Sequence, residues 1–248
     1  MQLSLRLSAV AEMVTKGNRL VDVGCDHGYL PVYLILNKKI PKAIAADVGK
    51  GPLSRAREHI SQYGLGAYIE TRLCDGLQGI RPEEGDTLVL AGMGGPLMEK
   101  IMTEGRETLS GFRELILQPQ SDVPHVRRFL LNNGFAIVQE TIVKEDGKFY
   151  PVMKAVPEEA VSDRDGESAV WTEEELLFGR FLLREKHPVL KDFLERELRI
   201  RSEILGHLAA GKEIGKEARM RKNEVEEEKR QILAALKKYE SEETDRMA

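Results

Sequence analysis

Cysteine, histidine and long apolar runs are all scarce in this chain of 248 residues, and each shortage excludes a class of protein. The two cysteines, Cys25 and Cys74, are too few for a disulfide-stapled scaffold and lack metal-ligand spacing. The five scattered histidines form no zinc pattern, so no metal site is predicted. No apolar run approaches the ~20 residues of a spanning helix, and no signal segment is recognisable at the N-terminus. We therefore expect a cytoplasmic protein without membrane contacts.

A strong net charge of either sign is also missing. The formal charge is −4, and it is divided unevenly along the chain. Residues 1–157 carry 19 basic and 18 acidic side chains, whereas residues 158–248 carry 18 and 23. This balance excludes a general nucleic-acid coat protein, so any contact with nucleic acid must use a local basic patch.

Residues 1–157 alternate short β-rich runs with helical stretches. Strands are predicted at 19–24, 42–48, 67–73, 86–91 and 113–118, and helices at 29–38, 52–63, 96–109 and 122–132. This alternation predicts an α/β fold with a parallel, doubly wound sheet in the order 3-2-1-4-5. The runs 135–144 and 148–156 flank an Asp-Gly turn and predict an antiparallel hairpin. Five parallel strands followed by such a hairpin are typical of a Rossmann-like methyltransferase domain.

Residues 158–248 are predicted to form a linker and a helical coiled-coil appendage. The polar stretch 157–170 is the linker, and a capping box at Thr172–Glu175 opens a helix that Pro188 is expected to interrupt. Two apolar stripes follow, and the second recurs every seven residues from Ala218 to Tyr239. An antiparallel helical hairpin is the simplest interpretation, and one long helix that pairs with another subunit is the alternative. Nothing else in the sequence indicates a homo-oligomer.

The most informative segment follows the first predicted strand and runs from Asp22 to Tyr29. A dinucleotide fingerprint would need glycine at positions 24, 26 and 29, and only Gly24 is present. Asp26 instead places a carboxylate where a pyrophosphate would lie, and like charges repel. S-adenosylmethionine (SAM) has no phosphate and carries an ammonium and a sulfonium, so an acidic turn suits SAM better than NAD.

Four consecutive strand ends supply the predicted cofactor-binding residues. Asp47 lies 23 residues after Gly24, where an acidic side chain would bind the ribose hydroxyls. The turn that begins at Ala91 has almost no side chains to separate the cofactor from an incoming nucleophile. Each feature alone has an ordinary structural explanation, such as a helix cap, but the set indicates a methyltransferase. The full set is Asp22, Gly24, Cys25, Asp26, Asp47, Val48, Asp75, Gly76, Ala91, Gly92, Met93 and Gly94.

Five segments of the chain are distinctive in sequence: DVGCDHGYLP, CDGL, LAGMGG, LILQP and KEDGKFYPV. They resemble the TrmK family of bacterial tRNA adenine-22 N1-methyltransferases. The resemblance extends from LSLRL at 3–7 to about residue 156, and a helical appendage also suits the family. It implies SAM as cofactor, tRNA as partner and N1 of adenine 22 as target. Cys25, Asp47 and Gln120 differ from the residues usual at those positions of the family.

The implied chemistry needs no general base, because adenine N1 is already a lone-pair nucleophile at neutral pH. Positioning and electrostatics should dominate, and N1 must be presented by an unpaired or flipped base. Asp26 is the first candidate to stabilise the cationic product, with binding of the SAM ammonium as its alternative role. His27 would line the base pocket or serve structure, and Tyr29 would stack on the adenine or pack in the core.

Four basic residues are the predicted RNA contacts. Arg6 and Lys148 lie in the family-like motifs, and Lys216 and Arg219 belong to a basic cluster near the predicted hairpin turn. For most surface cations a solvated face is the ordinary explanation. Two other functions stay open at this point: methylation of another RNA or a small molecule, and a SAM-binding RNA-interaction protein without turnover.

Overall fold

A seven-stranded sheet is the centre of the fold in the computed structural model, which describes residues 1–161, 170–210 and 216–240. Five strands are parallel and two form an antiparallel hairpin, in the order β3-β2-β1-β4-β5-β7-β6. The predicted Rossmann-like sheet and its closing hairpin are therefore confirmed. The strands are β1 (Leu20–Val23), β2 (Ala43–Asp47), β3 (Ile69–Leu73), β4 (Thr87–Met93), β5 (Glu114–Pro119), β6 (Phe135–Glu145) and β7 (Lys148–Pro157).

The central strands are apolar because helices cover both faces of the sheet. All four residues of β1 are buried, as are Leu88, Val89 and Leu90 of β4. Burying each of the apolar side chains among them contributes roughly 1.5–3 kcal/mol. Parallel register, for example Asp22 beside Val89, brings the carboxyl ends of β1 to β5 to one edge of the sheet. We refer to it as the carboxyl edge.

Six helices accompany the sheet: α1 (Leu5–Met13), α2 (Tyr29–Leu36), α3 (Lys50–Gln62), α4 (Gly95–Glu104), α5 (Arg106–Leu109) and α6 (Val123–Asn132). The helix expected at 96–109 is divided at Gly105, so that part of the prediction is wrong. The sequence patterns had not indicated α1, which begins where the Ser4 hydroxyl accepts a hydrogen bond from the Leu7 N–H.

A buried carboxylate fixes the end of α1 to the sheet. Glu114 on β5 accepts hydrogen bonds from the Thr15 hydroxyl at 2.6 Å and the Thr87 hydroxyl at 2.6 Å, and Lys154 on β7 lies 2.6 Å away. Burial alone would raise the pKa of Glu114, but these donors outweigh it and lower the pKa. The network therefore determines where α1 runs over the sheet.

The chain divides into two compact units, Met1–Ala169 and Val170–Ala248. The predicted boundary at 157/158 stays a prediction. The second unit contains α7 (Glu173–Phe178), α8 (Arg180–Arg184), α9 (Pro188–Ala210) and α10 (Lys216–Glu240). The capping box at Thr172 is present, but the helix it opens ends at Gly179, whose φ is +94°. The expectation that Pro188 interrupts that helix is wrong, since Pro188 begins α9.

The two long helices of the second unit pack antiparallel. The hydroxyl of Tyr239, near the end of α10, donates to the His187 carbonyl just before α9 at 3.2 Å. Arg201 in the middle of α9 pairs with Glu228 of α10 at 2.6 Å. These contacts agree with the predicted antiparallel helical hairpin and not with its alternative, the single long helix. The predicted turn around Gly211 and Lys212 lies outside the described residues. Within the described ranges, no helix is both long and apolar enough to cross a membrane.

Candidate active site

The candidate site opens where the strand order reverses, between β1 and β4, at the carboxyl edge. Open α/β sheets bind their ligands at such switch points. A cavity of about 350 Å³ lies there, between the start of α1 and the turn after β1. Seven of the predicted site residues line it: Arg6, Asp22, Gly24, Cys25, Asp26, Tyr29 and Ala91.

The turn after β1 is held tightly over β2. The N–H groups of Gly24 and Cys25 both donate to the Ala46 carbonyl, at 2.9 and 3.2 Å. Gly24 has a φ of +77°, and a Cβ there would lie 3.0 Å from the Met93 methyl carbon. Only glycine satisfies both the conformation and the close approach. A ligand can therefore contact bare backbone at this point of the cavity.

Asp26 lies in the same turn with a φ of +41°, an uncommon conformation for a residue with a side chain. Its carboxylate is 62% exposed and accepts a hydrogen bond from the Arg55 guanidinium of α3 at 2.9 Å. The His27 ring nitrogen lies 3.8 Å from the other oxygen. Asp26 thus presents a carboxylate whose charge is already partly balanced by an arginine.

Asp22 supplies a second carboxyl group, and this one is buried at the bottom of the cavity. Burial raises its pKa, the neighbouring Asp47 adds to this rise and Arg6 opposes it, and together they bring the pKa to about 7. Burial also raises the pKa of the adjacent Cys25 thiol, so this thiol stays protonated. The bottom of the cavity therefore offers a carboxyl group that gains a charge readily when a cation is nearby.

The ends of β2 and β3 carry the residues predicted to bind a nucleoside. One oxygen of Asp47 accepts from the Gly49 N–H at 2.7 Å, and within the described chain the other accepts no hydrogen bond. Val48 is 69% exposed, which is unusual for an aliphatic side chain beside a cavity. Asp75 is exposed in the turn after β3. These residues and Gly76 do not line the 350 Å³ cavity but lie along the same edge.

Residues 91–94 form the end of β4 and the start of the turn that follows, and this turn differs because it has no polar side chains. Gly92 has a φ of +79°, and a Cβ there would lie 3.3 Å from the Arg6 guanidinium. The Gln120 N–H donates to the Met93 carbonyl at 2.9 Å, which fixes this turn beside the end of β5. Of the predicted residues in this turn, Ala91 lines the cavity, whereas Gly92, Met93 and Gly94 lie just beyond it.

Three residues from distant parts of the sequence meet beside this turn. Arg6 on α1 lines the cavity and donates to the buried Gln118 side chain at 3.0 Å. Its guanidinium lies 5.9 Å from the centre of the Tyr150 ring on β7. Gln118 and Tyr150 were not among the predicted site residues, although both lie inside the family-like segments. Arg6, predicted as a phosphate contact, lies within the cavity itself.

The remaining predicted residues are separated from the cavity. His27 stacks on Tyr29 with 5.2 Å between ring centres, but only Tyr29 lines the cavity. Lys148 is exposed at the hairpin tip, and Arg219 is exposed on α10 of the second unit. The side chain of Lys216 lies outside the described residues. Throughout the described part of the chain, no three His, Cys, Asp or Glu side chains cluster as a metal site requires.

The sheet order, the acidic turn after β1 and the cavity at the switch point are those of a Rossmann-like, SAM-dependent methyltransferase. Comparison with known sequences identifies the family. Residues 20–235 match the TrmK family model, described as tRNA (adenine(22)-N(1))-methyltransferase, and the chain belongs to this family.

Individual relatives agree with that assignment. A Bacillus subtilis (strain 168) tRNA (adenine(22)-N(1))-methyltransferase is 38% identical over 199 residues, covering 80% of this chain and 82% of the relative. An uncharacterized Listeria monocytogenes serotype 4b protein has a similar structure, with a TM-score of 0.87, 33% identity, and coverage of 95% of this chain and 100% of that one. A candidate tRNA (m1A22) methyltransferase from Streptococcus pneumoniae, solved with S-adenosyl-L-methionine, gives a TM-score of 0.81, 30% identity, and coverage of 95% and 100%.

Proposed function

We propose that this chain transfers a methyl group from SAM to N1 of adenine 22 in tRNA. The observation that carries the proposal is the family match over residues 20–235, which includes both strands that flank the cavity. Since the substrate is tRNA, the proposed place of action is the cytoplasm. The cofactor suits the site because the cavity combines bare backbone at Gly24 with two carboxyl groups and no phosphate-binding glycine pattern.

The nucleoside half of SAM is assigned to the ends of β2 and β3. The unpaired oxygen of Asp47 accepts hydrogen bonds from the ribose hydroxyls, while its other oxygen holds the Gly49 N–H. The exposed Val48 side chain packs against the adenine ring, and its exposure is lost when the ligand covers it. Asp75 and Gly76 close the adenine end of the site. We assign the nucleoside to this place because an acidic side chain, Asp47, and an aliphatic side chain, Val48, follow each other at the end of β2.

The methionine half of SAM is assigned to the turn after β1. Asp22 and Asp26 supply negative charge for the ammonium, and Gly24 and Cys25 provide the backbone surface. Because Arg55 already balances part of the charge of Asp26, Asp22 is the second acidic group that the cavity can offer to the ammonium. Asp26 keeps both of its candidate roles, towards the ammonium and towards the product cation.

The transfer step needs placement more than proton movement. SAM supplies a methyl group on a positively charged sulfur, which keeps the bonding electron pair when N1 of the base takes the methyl carbon. Ala91, Gly92 and Gly94 add almost no side-chain bulk on the proposed approach to that carbon. Arg6, which donates to the buried Gln118, lines the cavity near Gly92. Tyr29 and His27 offer rings to the base. The charge moves from sulfur to base, so a nearby carboxylate lowers the energy of the cationic product.

The tRNA backbone is assigned to basic residues outside the cavity. Lys148 at the hairpin tip and Lys216 and Arg219 at the start of α10 are the proposed phosphate contacts, together with Arg6 at the cavity. A Lys216→Gln, Arg219→Gln double variant should bind tRNA more weakly and with a salt slope smaller by about 1–2. The matched control is Lys191→Gln, near the start of α9, and it should leave the salt slope unchanged. An unchanged slope in the double variant would remove α10 from the interface.

Mass mapping of tRNA after incubation with the full chain and SAM tests the proposal. One methyl group is expected on the fragment that contains adenine 22, and none on a transcript with guanine at that position. Methylation at another nucleotide would keep the enzyme class and change the substrate. SAM binding without any product would instead favour an RNA-interaction protein.

A further inference from the structure

A row of four aromatic rings leads away from the cavity over the surface of α2 and α3. We call it the aromatic row, and it consists of His27, Tyr29, His59 and Tyr63. His27 and Tyr29 are stacked 5.2 Å apart, Tyr29 meets His59 edge-on at 4.8 Å, and His59 meets Tyr63 edge-on at 5.2 Å. Tyr29 lines the cavity, so the row begins at the candidate active site.

Packing of the core does not explain the row. Tyr29 and Tyr63 keep 42% and 41% of their surface exposed. A ring nitrogen of His59 lies 3.1 Å from the His27 carbonyl, which holds the imidazole between the two tyrosines. Buried aromatic rings normally contribute their area to a core, whereas these rings form an ordered, solvent-facing surface.

A cation accompanies the rings. Arg55, His59 and Tyr63 follow one another at intervals of four residues, so they share one face of α3. The Arg55 guanidinium is 47% exposed there and pairs with the exposed Asp26 carboxylate at 2.9 Å. Exposed aromatic rings beside cations are the surface on which unpaired bases stack and backbone phosphates are neutralised.

We infer that the aromatic row is a stacking surface for unpaired nucleotides of the tRNA next to the target adenine. The inference rests on the proposed function, because a tRNA substrate must present its adenine unpaired at the cavity where the row begins. Tyr29 then contacts the base nearest the cavity, and Tyr63 contacts a nucleotide farther along the strand. Rings already fixed by their neighbours lose little conformational entropy on binding.

Equilibrium binding of a tRNA transcript that contains adenine 22, measured with full-length variants at several salt concentrations, tests the inference. Tyr63→Leu should weaken tRNA binding by about tenfold at every salt concentration, because a stacking contact is lost and no phosphate contact is. Tyr63→Phe and Tyr63→Trp keep a ring and should bind within about twofold of the unchanged chain. SAM affinity should be the same in all of them, since Tyr63 lies outside the cavity.

Tyr68→Leu is the matched control. Tyr68 is also an exposed tyrosine, at 51%, but it lies just before β3. Its carbonyl accepts a hydrogen bond from the Ala43 N–H, so it is at the amino ends of the strands, opposite the carboxyl edge. Equal tRNA affinity for Tyr63→Leu and Tyr68→Leu overturns the inference. So does a change in self-association of Tyr63→Leu without loss of tRNA affinity, which would make the row a protein interface. Mass mapping with the unchanged chain tests the proposed function separately, because the binding measurement does not depend on turnover.

Discussion

The two turns that flank the cavity differ in amino-acid composition. The turn after β1 has carboxylates, an ion pair between Asp26 and Arg55, and aromatic rings. Residues 91–94, at the end of β4, are alanine, glycine and methionine, and they hold their shape through backbone hydrogen bonds, such as that from the Gln120 N–H to the Met93 carbonyl. We therefore propose that the β1 flank recognises a charged ligand, and that the β4 flank stays open so that a second reactant can approach. Substitutions on the β1 flank should therefore weaken SAM binding first, whereas substitutions on the β4 flank should slow methylation.

The largest effect is expected from the buried carboxyl group of the β1 flank. The pKa of Asp22 is raised to about 7 in the folded chain, from 3.8 in the reference state. The folded state therefore binds the proton more tightly than the unfolded state. The free energy of unfolding should fall as the pH rises from about 4 to about 7, by an amount on the order of a few kcal/mol, and then level off.

Asp22→Asn removes this penalty, so denaturant unfolding of the variant should lack that fall and show higher stability than the unchanged chain at pH 8. The same variant should bind SAM more weakly at pH 8, because the cationic ligand favours ionised Asp22. In the unchanged chain, SAM affinity measured by calorimetry should rise with pH through about 7. If the free energies of unfolding of the two proteins change in parallel with pH, the pKa of Asp22 is not raised in the folded chain.

Asp47→Ala should weaken SAM binding by about ten- to a hundredfold, equivalent to 1.5–3 kcal/mol for a hydrogen bond to a charged group. The alanine variant also loses the contact with the Gly49 N–H. Asp47→Asn is therefore the second arm, since its amide oxygen keeps that contact while the charge is removed. If Asp47→Asn binds SAM as well as the unchanged chain, the carboxylate holds the backbone only, and the ribose assignment is wrong.

The sheet was predictable because its signals are local. Continuous apolar runs such as Leu88 to Leu90 mark strands covered on both faces, and glycine-rich turns mark their ends. Helix α1 was missed because its apolar and polar residues alternate weakly, and its main signal is the single cap Ser4. The end of α7 at Gly179 was missed because Pro188 is the stronger sequence signal for the end of that helix. Proline is equally compatible with the start of a helix, and Pro188 begins α9.

The site was predictable only in part. The β1 turn is one continuous segment, so its residues could be assigned together. Arg6, Gln118 and Tyr150 lie on three elements, and the first two are 112 positions apart. No periodic pattern joins such distant residues, and their meeting depends on the path of α1 across the sheet. The pairing of Asp26 with Arg55 was missed for the same reason.

On the β4 flank, Gly92→Ala should slow methylation while leaving SAM affinity within about threefold. The new methyl group would displace the Arg6 guanidinium 3.3 Å away, in a backbone conformation that side chains disfavour. A cost of about 1.4 kcal/mol in the transfer step would lower the rate about tenfold at saturating SAM and tRNA. Gly24→Ala is the matched variant, because its φ is almost equal and Gly24 lies in the turn after β1 and lines the cavity. It should lose SAM affinity first, and the same failure in both variants would contradict the division between flanks.

The smallest effect is expected at Asp26, because this exposed carboxylate already pairs with Arg55. If Asp26 stabilises the methylated base, Asp26→Asn should slow single-turnover methylation by about three- to tenfold, with SAM affinity nearly unchanged. Arg55→Gln frees the carboxylate and should therefore hold or increase that rate when tRNA is saturating. The opposite directions of the two variants separate an electrostatic role from a loss of structure, which would slow both. A collapse of SAM affinity in Asp26→Asn would instead identify Asp26 as the ligand of the ammonium and leave the stabilisation of the product to Asp22 or to the rings.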